Sequence, residues 1–432
     1  MYKNYNYDGL MFVGKNRFNQ LYDSIQQVID EKGEMSRVDF YLLTVPLIQA
    51  LQDDQSFYSL VGKYGFEADD KTVKSFAEKI IIPYTIQIFH DSVFITDIES
   101  DLYKSRIISI NNIPAEKVIP EIYRASTFNR YRYYLKYQYG ECNLSYSSVI
   151  SHILFGFQNA VDIAYTPYNS HIILHKQVEL LPFSDLSYKK LAEEQVKEKL
   201  NWYSSYFDGD KGVFKINSFP YGKIEIDTLN YIFDQIQRQQ SKSLIIDISE
   251  CGWSSNTFWI IFLNYLYKGD LWIYGYHKEK KNLSQYTKKS IKDNKFILGR
   301  YRDISTELKF EGHIYLIIGP KTKLSGINFA DILRYNKIST KIYGSESLSK
   351  NTQFTSSQLN YLPVTKIRLG LSFSMSEALD KNRNTHGFLP DEEVKPNTIE
   401  EFWDNGSNRL VINKVIDLIE KENLENENTT HK

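Results

Sequence analysis

The spacing of apolar residues changes along this chain, and the changes divide it. Phe18 to Ile29 and Arg37 to Leu51 read as two amphipathic helices. In the second, Phe40, Leu43, Val45, Leu47 and Ile48 put most of their bulk on one face. The turn Gln52 to Ser56 closes the pair. From Ile80 to Ile110 the pattern becomes that of short strands, at Tyr84 to Phe89, Val93 to Ile98 and Arg106 to Ile110. Ile108 to Ile119 reads as a strand, a turn and a short helix. Asn111 and Asn112 tolerate left-handed backbone better than most residues, and Pro114 is suited to a first helical turn. Thr127 to Ser187 is a mixed aromatic stretch without a clear period. Lys189 to Asn201 reads as a charged helical connector.

From Val213 onward strands and helices alternate. Val213 to Ile216 is a predicted strand. Ile224 to Gln239 is a predicted helix with Leu229, Ile232, Phe233 and Ile236 on one face. Leu244 to Ile248 and Ile314 to Ile318 are strands, each leading into a helix, Thr257 to Tyr267 and Gly326 to Tyr335. Lys341 to Tyr343 is a further strand. This alternation predicts a mainly parallel sheet covered on both faces. Leu244 to Ile248 and Ile314 to Ile318 are expected to be parallel neighbours, because the chain between them is long enough for a crossover. The polar run from Glu420 is expected to fray.

The division that follows is an N-terminal helical region (1–79), a β-rich middle (80–187), a helical connector (188–212), an α/β core (213–419) and a polar tail (420–432). Composition narrows the class. With 42% apolar and 24% charged residues the chain is globular. A net charge of −1 gives no basic surface for nucleic acid or an anionic membrane. No apolar run is long enough for a membrane span. Cys142 and Cys251 are the only cysteines, too few for a disulfide scaffold, and no Cys/His cluster suggests zinc. His171 and His175 have helical spacing, but the apolar residues between them read as strand, which argues against a metal pair. The start carries no apolar stretch of the signal-peptide kind. Two locations fit: the cytoplasm, or export with the chain in a trimmed mature form.

Two segments carry candidate chemistry. Ser243 to Trp253 reads Ser-Leu-Ile-Ile-Asp-Ile-Ser-Glu-Cys-Gly-Trp. His313 to Ala330 reads His-Ile-Tyr-Leu-Ile-Ile-Gly-Pro-Lys-Thr-Lys-Leu-Ser-Gly-Ile-Asn-Phe-Ala. Each is a buried-strand run, a small-residue turn and a helix. That arrangement presents backbone N–H groups and a nucleophile at the carboxyl ends of neighbouring strands. In this order they resemble the tail-specific, or C-terminal-processing, serine peptidases. The segment His386-Gly-Phe-Leu-Pro-Asp-Glu-Glu-Val-Lys-Pro396 is similar to that family's Gly-x-x-Pro-Asp-x-x-Val segment, where Gly387, Pro390 and Asp391 shape a turn. The strand and turn before Pro114 resemble the later part of a PDZ-like module, with Asn112 in place of the usual Gly and no clear carboxylate-binding loop before it.

The resemblance implies an α/β fold with a ClpP/crotonase-like, mainly parallel core and a PDZ-like middle domain. It also implies roles. In the family a strand end reading Ile-Ile-Asp-Leu-Arg-x-Asn-x-Gly-Gly supplies an oxyanion N–H. Asp247 and Gly252 match it, while Ser249, Trp253 and Ser254 depart from it. The family's Thr-x-Ser-Ala segment, aligned without gaps on Thr322, puts Leu324 at the nucleophile. A slip of one residue puts Ser325 there, at a helix start where an oxyanion is stabilised. Lys350 lies twenty-five residues further on, the offset of a Ser-Lys dyad, in a segment similar to the family's Val-Gly-Glu-x-Thr-Phe-Gly-Lys-Gly. Gln55 stands where the other branch of the family has His, and Gln cannot take a proton at neutral pH.

The catalytic version therefore uses Ser325 as nucleophile, Lys350 as base, and the N–H groups of Gly252 and Gly326 for the oxyanion. The alternative is a catalytically inactive relative that binds peptides or apolar ligands in the same cleft. The expected partner is a polypeptide or peptide, as substrate or ligand, and neither version needs a metal or cofactor.

Overall fold

The computed structural model describes residues 10, 13–51, 57–59, 84–89, 92–95, 100–118, 121, 141–143, 155–156, 160–179, 202–219, 226–251, 256–272, 276–281, 287–291, 295–297, 308–347, 349–365, 367–379, 387–396, 401 and 409–430. The chain divides into two compact units. The first holds 1–194, 278–289 and 354–375. The second holds 195–277, 290–353 and 376–432. Residues 278–289 and 354–375 thus leave the 213–419 block read from sequence and group with the N-terminal half. The connector predicted at Lys189 to Asn201 and the Gln55 turn lie outside the described residues.

The first unit opens with two helices, α1 (Lys15–Lys32) and α2 (Arg37–Ala50). Ser36 caps α2 by accepting the Asp39 N–H at 3.0 Å, which satisfies one of the free donors at a helix start. Tyr41, Val45 and Leu51 of this region pack with Ile367, Leu369 and Leu371. The larger sheet of this unit contains β1 (Thr85–Phe89), β2 (Ser92–Ile95), β3 (Arg106–Ile110), β4 (Ala160–Thr166) and β5 (Leu174–Glu179), antiparallel in that order. Its one buried face is Ile86, Val93, Ile95, Ile107, Ile110, Val161, Ile163 and Val178. The strand, turn and helix expected around Pro114 are present. Asn111 and Asn112 both adopt positive φ, at 48° and 62°, and the chain is helical from Ala115 to Val118. His175 lies in β5, while Ile172 and Ile173, read as strand from the sequence, precede it. No cluster of metal-ligating side chains occurs among the described residues.

The second unit is built on a six-stranded sheet. Its strands are β6 (Tyr203–Asp208), β7 (Lys211–Ile216), β8 (Ser243–Asp247), β9 (His313–Ile318), β10 (Lys341–Gly344) and β11 (Glu392–Glu393), side by side in that order. β6 is antiparallel to β7; every other pairing is parallel. β8 and β9 are parallel neighbours, with Ser243 opposite His313 and Asp247 opposite Ile317. The helices are α3 (Ile226–Arg238), α4 (Asn256–Leu266), α5 (Ser325–Tyr335) and α6 (Arg409–Thr430).

Alternation along the strands sends side chains to opposite faces. Phe214, Leu244, Ile246, Ile314, Leu316 and Ile318 pack with α3, α4 and α5. Val213, Ile245, Tyr315, Ile317 and Tyr343 pack against Val411, Ile412, Val415, Ile416 and Ile419 of α6. The run from Glu420, expected to fray, is instead helical through Thr430. Glu420 receives the Lys211 ammonium at 2.8 Å, and Glu422 pairs with Lys341. Burial works to lower the pKa of both lysines, but their carboxylate partners outweigh it and hold both above the ordinary value, Glu420 at Lys211 and Glu392 with Glu422 at Lys341. No helix among the described residues is long and apolar enough to cross a membrane.

Candidate functional site

Parallel strands β8, β9 and β10 end together at one edge of the sheet, and each is followed by a turn. The turn after β8 folds on itself. The Asp247 carboxylate accepts the Ser249 N–H at 2.9 Å, and the Cys251 N–H donates to Ile248 O at 3.0 Å. Asp247 is thus a strand-end tie. Cys251 is free and buried, and burial pushes its thiol up to about 12, so it carries no thiolate at neutral pH.

The turn after β9 is sewn onto the first. The Thr322 hydroxyl donates to Ile248 O at 2.9 Å and accepts the Gly319 N–H at 2.9 Å. The Lys323 N–H donates to Cys251 O at 3.0 Å, and Lys321 pairs with Glu250 at 2.9 Å. Gly319 permits this approach: a Cβ there would lie 3.0 Å from Ser249 Cβ. Immediately afterwards Leu324 takes φ 44° and ψ −110°, a conformation that L side chains disfavour, and Ser325 begins α5. Ser325 is 4% exposed, whereas Leu324 is only half-buried. The Gly326 N–H donates to Lys323 O at 2.9 Å.

The turn after β10 is held from further along the chain. Gly344 has φ 118°, and a Cβ there would sit 2.0 Å from Ile318 O. Beyond it the Ser347 N–H donates to Phe388 O at 3.1 Å, and the Phe388 N–H donates to Ser347 Oγ at 2.7 Å. Glu346 accepts the Gly387 N–H at 2.9 Å, and Lys350 bridges Gly387. Gly387 is itself obligatory, since a Cβ would lie 2.0 Å from Ser347 O. Asp391 anchors this turn to β10. Its carboxylate accepts the Ile342 N–H at 2.9 Å, and its own N–H donates to Ile342 O at 2.7 Å. Arg334 of α5 closes the arrangement. It pairs with Asp391 at 2.9 Å, donates to Leu389 O at 2.7 Å and lies 4.3 Å from the centre of the Phe388 ring. Nothing in its sequence context marked Arg334 for this role.

Of the four residues singled out from sequence, Ser325 and Gly326 follow β9 and Lys350 follows β10, at the same end of adjacent strands. Lys350 is 6% exposed. Gly252, Trp253 and His386 lie outside the described residues.

No family model matches the chain, and no curated protein matches it. Solved structures do. Mature CPAF complexed with lactacystin aligns over 97% of this chain and 96% of its own, at 12% identity and a TM-score of 0.66. Mature CPAF on its own aligns over 95% and 93%, at 13% identity and a TM-score of 0.62. The photosystem II D1 C-terminal processing protease aligns over 92% of each chain, at 11% identity and a TM-score of 0.41. The neighbours are of the tail-specific, S41 protease type, and the likeness to CPAF, which runs through nearly the whole of both chains, gives this protein the CPAF fold.

Proposed function

We propose that this chain is a peptidase-fold protein that binds extended polypeptide without cleaving it. The fold supports a peptidase-like role. The observation that carries the finer reading is the backbone of Leu324. Thr322, the residue on which the family motif aligns, is tied to the end of β8, which favours the register without a slip. The strained position just before α5 is then Leu324, and strained strand-to-helix turns are where such enzymes display a nucleophile. Leu cannot attack a carbonyl. Ser325, one residue later, is buried as the first helical residue, and the Gly326 N–H already has an acceptor in Lys323. In this reading the second unit is a ClpP/crotonase-like core and the antiparallel sheet of the first unit is PDZ-like, the latter supported by the strand, Asn turn and helix around Pro114.

A second reading keeps catalysis, with Ser325 as nucleophile and Lys350 as base. It is favoured by their burial at the ends of adjacent parallel strands. Fluorescein-labelled casein, an unfolded polypeptide, separates the two. The binding reading expects a rise in anisotropy on adding the protein, no release of fragments, and the same binding by Ser325→Ala. Casein fragments produced by the wild type and abolished by both Ser325→Ala and Lys350→Ala would establish the catalytic reading instead. Neither binding nor cleavage would remove both.

A further inference from the structure

The antiparallel sheet of the first unit ends at β5. It pairs with β4 on one side, and among the described residues no strand lies on the other. An edge strand offers a row of backbone donors and acceptors, and proteins commonly guard it with proline, bulges or inward-facing charge. β5 has no proline, and its pairing with β4 runs without a register shift from Leu174 to Glu179. Its one lysine is turned to other use, because the Lys176 ammonium donates to Asp101 at 2.7 Å. Ile172, Ile173 and Leu174, at the start of this edge, are 67%, 54% and 42% exposed. Three consecutive exposed aliphatic residues beside an open strand edge form an association surface.

The charge pattern indicates the occupant. His175, Gln177 and Glu179 alternate with the other residues of β5, share one face and are all exposed. We propose that β5 pairs antiparallel with β5 of a second copy of this chain, about a two-fold axis at Gln177. In that register Gln177 meets its own counterpart, and His175 of each copy faces Glu179 of the other. Axes at the other β5 positions lose this match. An axis at His175 or Glu179 opposes like residues, and an axis at Lys176 or Val178 sets Gln177 against His175 or Glu179. His175 contacts Asp162 at 2.9 Å on the same face. Like charges directly opposite destabilise a ladder, and the register about Gln177 has none on β5. A closed two-fold contact also consumes both edges, so it ends at the dimer. It is independent of whether Ser325 reacts.

Sedimentation equilibrium of the full chain tests this. The contact is small, so dimer is expected at roughly 10 µM and above, with monomer prevailing well below. Gln177→Glu brings two carboxylates together on the axis, and Gln177→Lys two ammonium groups. Each is expected to weaken self-association about tenfold or more, and an equimolar mixture of the two variants should recover dimer as the mixed pair. Ile173→Asp, which lies outside the strand ladder, should weaken association with the melting temperature unchanged. A chain that stays monomeric throughout this range overturns the proposal. So does a dimer indifferent to all three substitutions, or one that the mixture of Gln177 variants does not restore.

Discussion

The turns after β9 and β10 leave adjacent parallel strands at the same end, and each carries a residue expected to do chemistry. They are held in different ways. The turn after β9 is tied to the end of the neighbouring strand β8 and its turn, by the Thr322 hydroxyl and the Lys323 N–H. The turn after β10 is held by the later Gly387 to Asp391 turn, which Arg334 holds in its turn. The tie at Thr322 is followed at once by Leu324 in the strained position. The turn after β10 is the more demanding of residue identity at its glycines, because a Cβ at Gly344 or Gly387 would lie 2.0 Å from a carbonyl oxygen.

The comparison breaks most readily at the glycines. Gly344→Ala should lower the unfolding free energy by about 3 kcal/mol, because its Cβ would meet Ile318 O at 2.0 Å with φ at 118°. Gly319→Ala, where the approach is 3.0 Å, should cost about 1 kcal/mol. Equal losses in chemical denaturation would erase the distinction between the two turns. Thr322→Val removes the hydroxyl that serves Ile248 O and the Gly319 N–H, and should cost about 2 kcal/mol by the same measurement. Asp391→Ala frees the Ile342 N–H and should cost about 1 kcal/mol. The smallest effect is the most telling. Leu324→Gly should stay within about 0.5 kcal/mol of the wild type, because relief of the strained backbone offsets the lost side chain and the added chain entropy. A loss of several kcal/mol there would mean that Leu324 is held by packing rather than endured as strain.

Much of the fold could be read from the chain because local period and burial agree in its core. The parallel pairing of β8 with β9 and the Asn111–Asn112 turn follow from residues within a few positions of each other. The helical run past Glu420 was missed for the opposite reason. Its apolar stripe stops at Ile419, and the ammonium groups that hold Glu420 and Glu422 come from Lys211 and Lys341, 209 and 81 residues away. Alignment on the family motif left two registers open at 324 and 325. The strained backbone of Leu324 and the Thr322 hydroxyl on Ile248 are what the binding reading rests on, and neither could be read from the sequence. Arg334 escaped notice because its partners, Leu389 and Asp391, lie more than fifty residues on.

The most direct test of the binding reading is exposure of the folded protein to a fluorophosphonate probe, read by intact mass. The wild type should remain unmodified, and Ser325→Ala should be indistinguishable from it. A single probe adduct on the wild type that disappears in Ser325→Ala would show that Ser325, not Leu324, holds the reactive position, and would contradict the reading of this chain as a binder.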